Sequence, residues 1–101
     1  SSTMKASGLT IKNISIGAAS KDGSQLFITD SKIRGTKKAG LMAYIKKLEY
    51  GPAKITADEL EFYSVEKQAI SQEGNKILID GVEVSPEKLQ VKELYSSTSK
   101  L

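Results

Sequence analysis

Leu26-Phe27-Ile28-Thr29-Asp30-Ser31-Lys32-Ile33 has apolar residues alternating with others on either side of a polar pair, Thr29-Asp30. The order is apolar-x-apolar, polar-polar, then x-x-apolar, which describes two short strands of period two joined at a corner. Relatives recur through the chain. Ile55-Thr56-Ala57-Asp58-Glu59-Leu60-Glu61-Phe62 lies 29 residues on, and Ile77-Leu78-Ile79-Asp80-Gly81-Val82-Glu83-Val84 lies 22 beyond that. Going back 22 residues gives Met4-Lys5-Ala6-Ser7-Gly8-Leu9-Thr10-Ile11. As columns, position one is Met4, Leu26, Ile55 and Ile77; position three is Ala6, Ile28, Ala57 and Ile79; position eight is Ile11, Ile33, Phe62 and Val84. Position six is Leu9, Ser31, Leu60 and Val82, with serine the polar exception. A fixed period of this order is the sequence signature of a stacked repeat architecture.

A third apolar segment follows each unit: Gly17-Ala18-Ala19, Gly40-Leu41-Met42 and Ala69-Ile70-Ser71. Each repeat therefore reads as three short strands and three bends in about 22 residues, with the second lengthened to 29. Stacked about 4.8 Å apart, such repeats pair each strand with its own copy above and below, and apolar columns become internal ladders. The expectation is an all-β, right-handed parallel β-helix of about three to four coils over residues 1–84, with a capping helix or segment over 85–95 and a disordered tail over 96–101.

Leu26 to Ile33, followed by Ala39-Gly40-Leu41-Met42-Ala43-Tyr44, resembles a coil of the right-handed parallel β-helix superfamily, which includes pectate-lyase-like enzymes and many bacterial surface and secreted proteins. The run from Lys32-Ile33-Arg34 through Tyr50-Gly51-Pro52-Ala53 is similar to the β-helical C-terminal portion of some large bacterial secreted proteins. Some of those carry a spore-coat-kinase-like domain upstream. No catalytic motif of such a domain is present, so no kinase activity is implied. The resemblance implies an extracellular or cell-surface location.

Antiparallel β is the competing architecture. Asp80-Gly81 is a strong two-residue hairpin turn, and Lys21-Asp22-Gly23-Ser24 is a second candidate. Thr29-Asp30 and Asp58-Glu59 lack the glycine such a turn favours, which speaks for a corner in every repeat.

Two places break the period. The long repeat has an insertion around Ile45-Lys46-Lys47-Leu48-Glu49-Tyr50-Gly51-Pro52, and insertions in stacked repeats become loops on one face. At the other break, Ser85-Pro86-Glu87 has the form of a helix start, with Leu89, Val91, Leu94 and Tyr95 placed to cover the last coil. Met4 to Ile11 has no such cover. Its apolar parallel edge is a template for pairing, either with upstream β-helix coils or with another copy of the chain.

Composition narrows the chemistry. The 101 residues allow one small domain. There is no cysteine, histidine or tryptophan, which removes a disulfide framework, a conventional Ser-His-Asp triad and the commonest zinc ligands. The net charge of +3 is low for a protein whose main partner is nucleic acid. The longest apolar run, Ala39 to Ile45, is seven residues and too short for a membrane span. No signal peptide is visible, and Ser-Ser-Thr does not resemble a natural start. No cofactor-binding glycine motif is present.

Three features carry candidate binding chemistry. Asp58 and Asp80 share a corner column, with Asp30 and Glu59 beside it. Such acidic corners build calcium sites or acid–base pairs in some β-helices, whereas aspartate at a corner also simply satisfies backbone. The basic cluster Lys32, Arg34, Lys37, Lys38, Lys46 and Lys47 suits an acidic polymer such as an anionic polysaccharide, or else forms a solvated rim. Among Tyr44, Tyr50, Phe62 and Tyr63, Phe62 belongs to the core and Tyr50 is the one expected to face a ligand. The sequence thus points to a non-catalytic structural or interaction module that pairs through Met4–Ile11. Its candidate binding residues are Lys37, Lys38, Lys46, Lys47 and Tyr50. The alternative is a carbohydrate-active fragment using the Asp58/Asp80 corner.

Overall fold

In the computed structural model, residues 2–45 and 51–88 are described. They form ten strands: β1 (Thr3–Ser7), β2 (Thr10–Lys12), β3 (Ile16–Lys21), β4 (Gln25–Arg34), β5 (Ala39–Tyr44), β6 (Lys54–Tyr63), β7 (Ala69–Gln72), β8 (Lys76–Ile79), β9 (Val82–Glu83) and β10 (Pro86–Glu87). The described residues are all-β. One sheet has the order β1-β4-β6-β8-β9, with β2 also on β4, and the other has the order β10-β7-β5-β3. The chain alternates between the sheets, so from β1 to β8 the neighbours within each sheet are a repeat apart in sequence and run parallel.

The register follows the apolar columns. Met4 pairs with Leu26, Leu26 with Ile55 and Ile55 with Ile77; Ala6 pairs with Ile28, Ile28 with Ala57 and Ala57 with Ile79. Ile11 pairs with Ile33 and Ile33 with Phe62. Leu26, Ile28, Ile33, Ile55 and Ile77 pack with Leu41 and Ala43 of the second sheet in one buried cluster. Full burial of each large aliphatic side chain contributes about 1.5–3 kcal/mol, and a register slip of one residue would turn them all outward.

Each corner is made by one left-handed residue at position five: Gly8 at φ 67°, Asp30 at 47° and Glu59 at 55°. Left-handed backbone costs a non-glycine residue about 1–2 kcal/mol, so Asp30 and Glu59 hold it only because the paired strands on either side demand it. A second left-handed column, Asn13, Gly35 and Ser64, ends each unit, and Gly23, Gly51 and Gly74 turn the chain back toward the first sheet.

The buried serine at position six is explained by the same corner. Ser31 Oγ accepts the Leu9 N–H at 3.1 Å and donates to the Thr29 carbonyl at 2.9 Å. It fills bonds that the kink takes out of the ladder.

The last repeat departs from the expected pattern. Asp80 is left-handed as well as Gly81, at φ 49° and 81°. Two successive left-handed residues give a primed hairpin turn instead of a corner. Strand β9 therefore folds back antiparallel on β8, pairing Ile79 with Val82 and Leu78 with Glu83. Val82–Val84 is thus not a fourth parallel strand segment. The antiparallel reading holds here but not at Lys21-Asp22-Gly23-Ser24, where β3 and β4 belong to different sheets.

The expected helix start at Ser85-Pro86-Glu87 is also corrected: Pro86–Glu87 is a strand paired with Ser71–Gln72. Proline lacks an N–H and is tolerated on an edge strand, and the Glu87 carbonyl accepts the Glu73 N–H at 2.8 Å. The rest of the expected cap and tail, 89–101, lies outside the described residues.

Candidate functional site

The two sheets end differently at their two edges. On β1, the Ser2 carbonyl accepts the Gln25 N–H at 2.8 Å and the Gly8 N–H donates to the Asp30 carbonyl at 3.0 Å. Backbone groups alternate in direction along a strand, so those of Thr3, Lys5 and Ser7 point away from β4. Among the described residues no strand pairs with β1, β2 or β3 on that side. At the other edge, the groups of Ile77 and Ile79 that point away from β6 meet β9, and the Val84 N–H donates to the Ile77 carbonyl at 2.9 Å. In the second sheet β10 pairs parallel with Ser71–Gln72, the last two residues of β7.

The N-terminal edge opens on a concavity of about 380 Å³. Its walls include Met4, Ala6, Leu9, Ile11 and Ala18, and Leu26 and Ile28 lie at its floor. Met4 is 65% exposed and Leu9 40%, whereas Leu26, which pairs with Met4, and Ser31, whose hydroxyl accepts the Leu9 N–H, are buried. An apolar concavity rimmed by unpaired backbone is the surface a further strand would cover. The sequence singled out Met4–Ile11 but not the contribution of β3. Gly17-Ala18-Ala19 was legible as a strand, yet nothing in it marks an edge.

The other sequence candidates do not converge. Asp58 and Asp80 are exposed, and Asp80 Oδ1 accepts the Glu59 N–H at 3.0 Å, which makes it a corner ligand for backbone. Among the described residues no group of three or more acids is placed to hold a metal ion. Lys37 and Lys38 lie in the connection from β4 to β5, the first exposed and the second half-buried. Lys32 and Arg34 lie on the outer face of β4, engaged by Glu61 at 3.9 Å and by the Tyr63 ring at 5.0 Å respectively. Tyr63 is an exposed partner of this ladder, and Phe62 is half-buried against the core. Lys46, Lys47 and Tyr50 lie outside the described residues. No described helix is long and apolar enough to cross a membrane.

No protein-family model, curated protein or solved structure matches the chain.

Proposed function

We propose that this chain is a non-catalytic structural module whose two sheets are walls of a parallel β-helix. One edge is closed by the chain itself, and the other receives a further parallel repeat. The observation that carries this reading is the contrast between Ile77, whose carbonyl is bonded by Val84, and Lys5, whose outward backbone groups have no described strand to pair with. The register of Met4 on Leu26 and of Ile11 on Ile33 supports it, because the next repeat needs only the same apolar columns to continue the core. Work is done by spacing, rigidity and edge pairing rather than by bond-making. A bacterial extracellular setting, with anionic polysaccharide as a ligand of the exposed lysines, remains the surrounding that the β-helix resemblance implies.

A 22-residue peptide copying residues 54–75 tests this reading as a stand-in for a further repeat. Added to the full chain, it should slow amide exchange at Thr3, Lys5 and Ser7, while a scrambled peptide should not. Unchanged exchange at millimolar peptide would remove the proposal.

A further inference from the structure

We infer that Asp80-Gly81 is a site of spontaneous backbone modification, where conversion to a β-linked aspartate unhooks β9 from β8.

The chemistry needs no other reactant than water. The Gly81 amide nitrogen attacks the side-chain carboxyl carbon of Asp80, and water leaves as a cyclic succinimide closes. Water then adds back to the ring. Addition at the carbonyl that belonged to the backbone breaks its bond to the Gly81 nitrogen, so the chain now runs through the aspartate side chain. The main chain gains a methylene, the old backbone carbonyl becomes a free carboxylate, and mass and net charge are unchanged. Glycine promotes the attack because it has no side chain to hinder its nitrogen.

The chain has two Asp-Gly pairs, Asp22-Gly23 and Asp80-Gly81. Their backbones match, with φ 49° and 77° at the first and 49° and 81° at the second. A closed turn fixes the peptide that must swing, and Asp80 Oδ1 is held toward the neighbouring repeat by the Glu59 N–H at 3.0 Å. Each pair therefore reacts through local opening of its turn.

The extent of that opening separates them. Asp22 and Gly23 are half-buried, and the Asp22 N–H donates to the Tyr44 carbonyl of the next repeat at 3.3 Å. Opening this turn disturbs Lys21 on Tyr44 and Gln25 between Thr3 and Lys54, which are paired ends of both sheets. Asp80 and Gly81 are exposed, as are both residues of β9, Val82 at 70%. The Asp80 N–H stays on the Ala57 carbonyl at 2.8 Å while the peptide after it rotates. Only the pairs of Val82 with Ile79 and Glu83 with Leu78 are disturbed.

A two-residue hairpin turn fixes the register of its strands, and an added methylene does not fit it. Val82 then loses its place on Ile79, and the Val84 N–H its bond to the Ile77 carbonyl. The outer side of β8 is left unpaired.

Peptide mapping of the full chain, aged at neutral pH below its unfolding midpoint, reads the β-linked product at each pair. Product should form at Asp80 at least about tenfold faster than at Asp22, and at similar rates at both in concentrated urea. Equal rates in the folded chain, or faster reaction at Asp22, would overturn the assignment. So would a folded chain that makes none at Asp80 in the time the urea-unfolded chain converts. Amide exchange of the purified aged chain tests the consequence. Val84 should lose protection while Ile28 and Ile55 keep theirs, and a Val84 still protected would overturn the unhooking.

Discussion

The Val84 N–H donates to the Ile77 carbonyl at 2.9 Å, and this bond pairs the outer side of β8, whereas β1 has no partner on its outer side among the described residues. The bond exists because Asp80 and Gly81 are both left-handed. Replacing Gly81 with alanine places a side chain at φ 81°, which should cost about 1–2 kcal/mol. The urea midpoint should fall with the slope unchanged, and faster amide exchange at Val84 would locate the damage.

Glu59 occupies the same corner position as Gly8, at φ 55°. Glu59→Gly relieves left-handed strain of about 1–2 kcal/mol but adds unfolded-state freedom worth about 0.4–1 kcal/mol. A net gain of about 0.5–1 kcal/mol is expected, read as a rise in the unfolding midpoint. A loss would mean that the corner is not strained.

Close approach of the two sheets depends on Gly40. A Cβ there would lie 2.7 Å from Phe62 Cε1 and 2.8 Å from the Gln68 carbonyl oxygen. Gly40→Ala should destabilise the fold by about 1–3 kcal/mol. Adding Phe62→Leu should recover only part of it, since the Gln68 contact is backbone. Full recovery would place the strain on the ring alone.

Ser31→Ala leaves the Leu9 N–H without its acceptor and should cost about 1–3 kcal/mol in denaturant unfolding. A neutral result would show that water satisfies that amide as well as the hydroxyl does.

Tyr63 should titrate above the ordinary 10.0. Its hydrogen bond to Glu61 and the Glu61 charge hold the phenol protonated, with burial adding a smaller push and Arg34 opposing it. Above pH 10 the folded chain then binds more protons than the unfolded one. The contribution is complete below the unfolded value and is lost as pH rises through the folded value. An ultraviolet titration should show Glu61→Gln bringing Tyr63 back toward 10.0. The lost Lys32 ion pair is exposed and should change stability by no more than about 1 kcal/mol.

The columns were legible because a strand has period two and the repeat spacing kept Met4, Leu26, Ile55 and Ile77 in phase. What separated a corner from a hairpin was one extra left-handed residue. Asp80-Gly81 has the glycine that a hairpin turn favours and Asp58-Glu59 does not, but the shared apolar columns argued for the same bend at both. Ser85-Pro86-Glu87 carries helix-start chemistry, yet the open backbone of β7 offered Pro86–Glu87 a pairing partner that local propensity does not see. The second left-handed column at Asn13, Gly35 and Ser64 had a signal, residues that tolerate or permit that backbone, but only in two of its three members.

Amide exchange of the chain alone compares the two edges most directly. The Lys5 N–H points away from β4, while the Val84 N–H is held by Ile77 at 2.9 Å. Lys5 should exchange near the free-peptide rate and Val84 at least ~100-fold more slowly than its own free-peptide rate. Comparable protection at the two sites would contradict an edge left open for a further repeat.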